Sequence, residues 1–279
     1  MVELMNPLIP FVIGLLMLLL PQRWAFDHLL LHERRAARWR QGAVTLGLVA
    51  AVLLLCFAGG YWLAGPVFGI VVLAGVLTGE LLVPGPASSV RSATLTTRRV
   101  RDYLPRHRAL QAVLLASLTV LLTPMTIFAA SHPAGRDGYG RISCGDSVIQ
   151  LPPELGVPAI TVIILTVIGS AVVCLPVLRK IVNRPPVTPG PESEALDTAM
   201  REASAGAVFY AWSCLLASTL FTTAMVAHAM FDGWGDGCTN WWRTSMHVTA
   251  YLAMATGGSV FVYLLAKLIK QHSSRRVTA

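Results

Sequence analysis

The sequence predicts an all-α protein, a polytopic transmembrane helical bundle. Of its 279 residues, 54% are hydrophobic and only 13% are charged, whereas soluble domains carry about 25% charged residues. The apolar residues lie in long runs, and six of these runs approach or exceed the roughly 20 residues that cross a bilayer as a helix. The segments between the runs are too short for a second hydrophobic core. Residues 1–279 are therefore predicted to form a single transmembrane domain.

Seven segments are predicted to cross the membrane. The first, residues 7–26, has a short apolar part at Pro7–Leu20, which Trp24 and Phe26 extend while Arg23 snorkels to the headgroups. If this segment lies only at the interface, the chain has six spans. After it, Trp24–Gln41 mixes large apolar residues with arginines and is typical of a helix lying on the inner leaflet. The remaining spans are residues 42–62, 67–83, 110–130, 157–178, 206–230 and 247–268.

The distribution of cations predicts the orientation of these spans. Of the 22 Lys and Arg residues, 19 lie in residues 21–41, 84–109 and 179–205 and in the tail after residue 266. Because cytoplasmic loops carry the excess of Lys and Arg, the C-terminus is predicted to be cytoplasmic. With seven spans the N-terminus is outside, and with six spans both ends are inside. The formal net charge of +8 is thus attributed to loop cations that set the orientation and attract anionic headgroups, and no nucleic-acid partner is expected.

Two of the cytoplasmic segments have a distinct composition. Residues 84–109 form a basic loop, for which binding of anionic inner-leaflet lipids is the first interpretation and docking of a soluble partner is the second. Residues 185–194 are rich in proline and predict an exposed linker. The candidate docking residues of the basic loop are Arg91, Arg98, Arg99, Arg101, Arg106 and Arg108.

Glu80 is the only acidic residue well inside an apolar run. Charge within a span is costly, so an intramembrane carboxylate is a functional candidate by default. One interpretation gives Glu80 a proton, cation or substrate role. The other is structural: Glu80 lies close to the cytoplasmic end of its span and pairs with a loop arginine such as Arg91 or Arg98.

The same helix contains Gly65, Gly69, Gly75 and Gly79. Small residues four apart let helices approach closely. The spacing predicts helix packing within the chain, with a homodimer as the alternative.

The five cysteines divide by position. Cys144 and Cys238 are the only two in predicted outer loops, and thiols in an oxidising compartment form disulfides. The sequence therefore predicts a Cys144–Cys238 disulfide, with two unrelated free cysteines as the alternative. The other three lie within predicted spans, where a thiol packs as a small apolar group.

Three histidines, His132, His228 and His247, fall near the outer ends of predicted spans, and Asp232 is four residues after His228. Imidazoles with a carboxylate are candidates to bind Zn or Cu, or to relay protons. The structural alternative is that these histidines only hydrogen-bond to the loops. No motif with metal-ligand spacing, phosphate-binding loop or nucleophile elbow is present, so no cofactor is indicated and the sequence favours a protein that is not an enzyme.

The run Gly79–Leu82, followed by Arg98–Pro105 (RRVRDYLP), resembles uncharacterised polytopic membrane proteins of high-GC actinobacteria. The resemblance covers the third and fourth spans. It implies a bacterial plasma membrane and carries no activity.

Two classes of function follow. The first is a transport-related protein, either permease-like or an accessory subunit without its own ATPase, and it depends on Glu80. The second is a non-catalytic membrane sensor or scaffold that docks a partner through its basic cytoplasmic loops. A membrane enzyme that uses the outer histidines is the third and weakest hypothesis.

Overall fold

The computed structural model of the chain describes residues 31–57, 61–82, 100–103, 106–130, 140–144, 147–151, 157–184, 191–232 and 241–270. The described residues form six helices of 18 or more residues and one small hairpin. The helices are α1 (Leu31–Phe57), α2 (Ala64–Leu81), α3 (Arg106–Ala130), α4 (Val157–Val182), α5 (Pro191–Asp232) and α6 (Trp241–Lys270).

Sequence signals account for several helix ends. Gly59 and Gly60 follow the end of α1, and glycine lowers helix stability because it loses the most backbone freedom on folding. A 3₁₀ turn at Tyr61–Leu63 precedes α2, which carries Pro66 in its first turn. Proline is tolerated there because the first N–H groups of a helix have no partner within it. The first residue of α5, Pro191, follows the same rule.

The predicted helical fold is confirmed, with one addition that the expectation of an all-α chain lacked. Strands β1 (Gly140–Cys144) and β2 (Ser147–Leu151) pair antiparallel between α3 and α4, with Cys144 opposite Ser147. The strands contain the β-branched residues Ile142, Val148 and Ile149, which are enriched in strands. A single helical turn, Val100–Tyr103, precedes α3.

Five of the helices are long and apolar enough to cross a membrane. Their spanning segments are Arg38–Leu55, Ala64–Leu81, Ala159–Val182, Asp197–His228 and Thr244–Ile269. The predicted spans 42–62, 67–83, 157–178, 206–230 and 247–268 fall largely on these segments. The segment predicted at 110–130 lies within α3, which is not one of these five helices, so this span stays a prediction. The span predicted at 7–26 lies outside the described residues.

Two segments differ from their sequence interpretation over the residues that the structure describes. Residues 31–41 are continuous with the rest of α1; their arginines are interspersed with alanine, a strong helix former. Residues 191–194 are helical as well, because α5 begins at Pro191. The described part of the predicted linker 185–194 is therefore the first turn of a helix rather than an extended chain.

Helix α5 lies at the centre of the bundle. In its spanning segment 83% of the residues are buried, compared with 28% in those of α1 and α4. It packs against α2, α3, α4 and α6. Small side chains such as Ala211, Cys214 and Ala217 are fully buried on it, and small residues allow neighbouring helices to approach closely.

The other helices surround α5. Helix α4 contacts both α2 and α3, and α3 contacts α6. The ring of Phe68 on α2 meets that of Phe261 on α6 edge to face, with the centroids 5.2 Å apart, an arrangement that aromatic pairs favour. Helix α1 packs on α2.

Large apolar side chains cover the outer surface of the peripheral helices. Leu121 on α3, Leu165 on α4 and Leu252 on α6 are 67%, 64% and 59% exposed. Contiguous apolar surface of this kind is unusual on a soluble monomer. Together with the length of the helices, it is the surface expected of a bundle surrounded by lipid.

Candidate functional site

The strongest concentration of buried charge lies at one end of the bundle, called here the charged end. It is formed by the start of α1, the last turn of α2, the end of α4 and the first turns of α5. Its charged cluster consists of Arg40, Glu80, Arg184, Asp197 and Arg201.

Glu80 is bound by two arginines from different parts of the chain. Its side chain is 1% exposed. Arg40 of α1 donates a hydrogen bond from Nη2 to Oε1 of Glu80. Arg184, two residues after α4, donates to the backbone carbonyl oxygen of Glu80, and its Nη1 lies 3.8 Å from Oε2. The carboxylate is therefore charge-compensated by side chains from two other elements.

Close packing of α1 on α2 places Arg40 at this position. A Cβ atom on Gly75 would overlap the Cβ of Ala43, so the two helices approach each other closely at this point. The helices are antiparallel, because Arg40, in the first half of α1, meets Glu80 in the last turn of α2. Arg40 is itself 6% exposed.

A second ion pair joins α5 to the end of α4. Asp197 and Arg201 are one turn apart on α5, and Nε of Arg201 donates to Oδ2 of Asp197 over 2.8 Å. Nη1 of Arg201 donates to the backbone carbonyl oxygen of Val182, the last residue of α4. The final carbonyl groups of a helix have no partner within the helix, and a cation is favoured there by the helix dipole. Arg201 thus caps the C-terminus of α4.

Positive charge exceeds negative charge in this cluster by one, because it contains three guanidinium groups and two carboxylates. The pKa of the Arg184 guanidinium is lowered by burial; Glu80 raises it and Arg201 lowers it further. Arginine nevertheless stays protonated in proteins. The three guanidinium groups of the cluster therefore carry fixed positive charges.

The structure answers the question of which arginine pairs with Glu80. Among the described residues its partners are Arg40 and Arg184; Arg91 and Arg98 lie outside the described residues, so pairing with them stays a prediction. The sequence carried one usable signal: an antiparallel α1–α2 hairpin places the arginines at the start of α1 beside the end of α2. The sequence position of Arg201 groups it with the loop cations, but the residue is buried, with only 3% of its surface exposed.

Only part of the predicted basic docking loop lies in the described chain. Arg98 and Arg99 fall outside it, as Arg91 does, and only the backbone of Arg101 is described. Arg106 is exposed at the start of α3. The guanidinium carbon of Arg108 lies 5.1 Å from the ring centroid of Tyr210 on α5, a cation–π contact that joins the start of α3 to the central helix.

At the opposite end, the histidine end, the structure brings two of the predicted histidines together. The rings of His228, near the end of α5, and His247, near the start of α6, have centroids 4.4 Å apart and are tilted by 34°. Tyr251 stands edge-on to His228 with the centroids 6.2 Å apart. His132 lies outside the described residues, and Asp232 is described only as the last backbone residue of α5.

Among the side chains that the structure describes, no group of three or more His, Cys, Asp and Glu residues could hold a metal ion. The predicted Cys144–Cys238 disulfide stays a prediction, because Cys238 and the side chain of Cys144 lie outside the described part of the chain. Cys174 and Cys214 are buried free thiols within α4 and α5.

The predicted glycine pattern serves packing within the chain. A Cβ on Gly65 would overlap the backbone oxygen of Ser218, and one on Gly69 would lie 2.5 Å from the Cα of Leu215. Gly65 and Gly69 therefore face α5, whereas Gly75 faces α1. The Oγ of Ser218 also donates to the carbonyl oxygen of Gly65 over 3.0 Å, a contact between helices that needs both small residues.

The interior contains many hydroxyl groups, and most of them bond to their own helix. On α5, Thr219, Thr222 and Thr223 each donate to a carbonyl oxygen three or four residues earlier. Thr119 and Thr123 do the same on α3. This local bonding satisfies the hydroxyl groups within each helix.

No family model matches the chain, no curated protein matches its sequence, and no solved structure matches its fold. The described fold and site define the class as a helical chain compatible with a membrane protein, with a buried charged cluster at one end and a histidine pair at the other.

Proposed function

We propose that the chain is a multi-pass protein of the bacterial plasma membrane that acts as a non-catalytic scaffold or sensor. Its charged end faces the cytoplasm, as the excess of cations in the alternate loops favours. A soluble, acidic partner docks on this end, beside anionic lipid headgroups.

The compensation of Glu80 by Arg40 and Arg184 carries the proposal. A carboxylate that carries a proton or a cation across a membrane must be able to change its charge state or its ligand. Glu80 is buried between two arginines that come from other parts of the chain. This arrangement supports a structural role for the carboxylate over a role in transport.

The packing of α5 supports the same conclusion. The side chains of residues 213–220 on this helix are all buried, and four other helices pack around it. A well-packed central helix with locally bonded hydroxyl groups is suited to holding a surface in place.

The surface that it holds is basic. Exposed cationic or titratable side chains surround the charged cluster at the starts of α1 and α3 and at the end of α4, namely Arg38, Arg106, His107, Arg179 and Lys180. Basic patches of this kind attract anionic headgroups and acidic protein surfaces over distances set by the salt concentration. A protein partner is distinguished from lipid by a saturable, site-specific contact.

Photocrosslinking in cells tests docking directly. A photoreactive residue at Lys180 is expected to give a discrete crosslinked protein, and the same residue at Leu165, exposed in the middle of α4, is the matched control. Neutralising Arg106 and Arg179 together is expected to remove the Lys180 product. Identical products at the two positions, or a Lys180 product that persists after neutralisation, would contradict docking on the charged end.

The transport-related hypothesis is the second candidate, favoured by one observation. Helix α5 buries five hydroxyl-bearing residues, Ser213, Ser218, Thr219, Thr222 and Thr223, and polar side chains in the interior of a membrane bundle are candidates to line a substrate path. Flux into proteoliposomes tests it: a flux that needs the chain and is lost in Glu80→Gln, with the fold intact, would establish transport and overturn the scaffold proposal.

A further inference from the structure

Arg184 is the one residue of the charged cluster whose side chain is substantially exposed. Its exposure is 23%, whereas each of the other four side chains is at most 9% exposed. Arg184 donates from Nη2 to the backbone carbonyl oxygen of Glu80, and its Nη1 lies 3.8 Å from Oε2 of that residue, beyond hydrogen-bond distance. A guanidinium group has five N–H donors, so most of those of Arg184 have no acceptor among the described residues.

The guanidinium group of Arg184 is held in place by two helix ends. The backbone N–H of Arg184 donates to the carbonyl oxygen of Ile181 over 3.3 Å, and that of Asn183 donates to Arg179 over 3.0 Å, so the chain continues the turn past the end of α4. Glu80 lies in the last turn of α2, where carbonyl groups have no partner within the helix, and Nη2 supplies one. Because the side chain is already ordered, it loses little conformational entropy when an anion binds to it.

Two further cations lie beside Arg184 at the surface. Arg179 and Lys180, near the end of α4, are exposed, and neither has an acidic partner among the described residues. Lys180 is four residues before Arg184 on the continued turn, and residues four apart share a face. The cluster behind them has three guanidinium groups and two carboxylates, so the excess of positive charge continues to the surface.

An apolar stripe on α4 leads to these cations. Its members, spaced three and four residues apart as on one helix face, are between 49% and 64% exposed: Leu165, Ile168, Val172 and Leu175. Arg179 is the next position of the same series. The helix rises about 15 Å from Leu165 to Leu175, which is half of the roughly 30 Å thickness of the hydrocarbon core of a bilayer. The stripe therefore has the length of one leaflet and ends in positive charge.

We propose that the end of α4 binds the phosphate headgroup of an anionic phospholipid. Arg184 is the principal ligand, Arg179 and Lys180 lie beside it, and an acyl chain lies along the apolar stripe. Arginine binds phosphate through two parallel N–H···O bonds, whereas lysine acts as a point charge. A soluble anion would gain nothing from the stripe, so the two surfaces together select a lipid. This inference rests on the proposed membrane setting of the charged end and is independent of the docking of a protein partner.

Native mass spectrometry of the purified full-length chain in detergent tests the site, with dioleoylphosphatidylglycerol and dioleoylphosphatidylcholine as competing probes. One phosphatidylglycerol molecule per chain is expected to bind in preference to phosphatidylcholine. Arg184→Lys keeps the charge but loses the planar pair of donors, and it should weaken this binding about tenfold, as loss of a hydrogen bond to a charged group does. Lys180→Gln should weaken the binding as well. Lys267→Gln, the same change at an exposed lysine near the end of α6, is the matched control and should leave the binding unchanged.

Thermal unfolding of the unaltered chain does not depend on a variant that folds. Phosphatidylglycerol should raise the unfolding temperature, because it binds the folded state, whereas phosphatidylcholine and millimolar inorganic phosphate should not. An equal rise with inorganic phosphate would show that the site takes a free anion. Equal binding of the two lipids, or binding that is unchanged in both Arg184→Lys and Lys180→Gln, would show only a general affinity for lipid. Each of these three results overturns the proposal.

Photocrosslinking at Lys180 separates this inference from the proposed function. Selective lipid binding without a crosslinked protein supports the lipid site and overturns the docking of a partner. A crosslinked protein without selective lipid binding supports docking and overturns the lipid site.

Discussion

Replacing Glu80 with glutamine is the most informative perturbation of the charged end. The substitution keeps the size of the side chain and removes the charge that Arg40 and Arg184 face. Removing one partner of a buried ion pair typically destabilises a protein by about 3–5 kcal/mol, because the other charge stays buried without compensation. Arg40 is in that position, since its side chain is 7% exposed. The expected decrease in the free energy of unfolding is therefore in the upper part of the range that single substitutions produce.

The two arginines should differ in a way that follows from their exposure. The side chain of Arg184 is 23% exposed, so it can reach water when its carboxylate is removed. We expect Arg184→Gln to cost about 1 kcal/mol, in the range of partly exposed pairs, and Arg40→Gln to cost about 3 kcal/mol, because Glu80 then stays buried with one distant partner.

A double-mutant cycle separates the pair from its surroundings. Arg40→Gln combined with Glu80→Gln replaces two buried charges with two amides that can bond to each other, so the double variant should be more stable than the sum of the single losses by about 2 kcal/mol or more. Unfolding of the purified chain by denaturing detergent measures each free energy, with exposed Arg179→Gln as the control. Losses below about 0.5 kcal/mol, or strict additivity, would refute this account of the charged end.

The remaining predictions concern packing and the outer loops. Gly69→Ala should destabilise the bundle by about 1–3 kcal/mol, because its Cβ would meet the backbone of Leu215. Gly169→Ala has nothing within 4 Å of its Cβ and should stabilise α4 by up to about 1 kcal/mol. Unfolding measurements that rank the stabilities of the two variants the other way would contradict the packing. Cys144→Ser should slow the migration of the chain on a non-reducing gel to that of the reduced chain, and an unchanged mobility would exclude the disulfide with Cys238.

Hydropathy was sufficient to locate five helices that are long and apolar enough to cross a membrane, because their apolar runs are long. It could not place their ends where the flanking residues are good helix formers. The start of α1 contains arginine and alanine, and α5 begins with proline followed by acidic residues. Both sequences suit a helix N-terminus as well as they suit a loop, so local composition did not distinguish the two.

The partners of Glu80 were out of reach for a different reason. Arg40 and Arg184 are 40 and 104 residues away from it in sequence, and only the arrangement of the helices brings them together. The pattern of apolar residues along one span does not specify which other helix packs against that span. The central position of α5 did have a signal in its composition. Alanine, serine, threonine and cysteine recur along the whole helix, as close packing on several sides requires.

The histidine end was predicted in part. Sequence position placed His228 and His247 at the ends of consecutive spans, and consecutive spans joined by a short loop pack as neighbours. Their mutual distance depends on the rotation of each helix about its axis, which no motif in the chain specifies.

The place of α5 in the chain has a consequence for biosynthesis. The helix on which α2, α3 and α4 pack is synthesised after all of them. At about 5–20 residues per second, roughly 7–30 s separate the synthesis of Gly69 from that of Leu215, the residue it packs against. During that time α2 lacks its contacts with α5, and once α4 has been made the carbonyl group of Val182 lacks the arginine that caps it until residue 201 follows. Assembly of the bundle thus waits for α5: among the described helices, a nascent chain that stops before residue 191 contains α1 to α4 without the helix on which three of them pack.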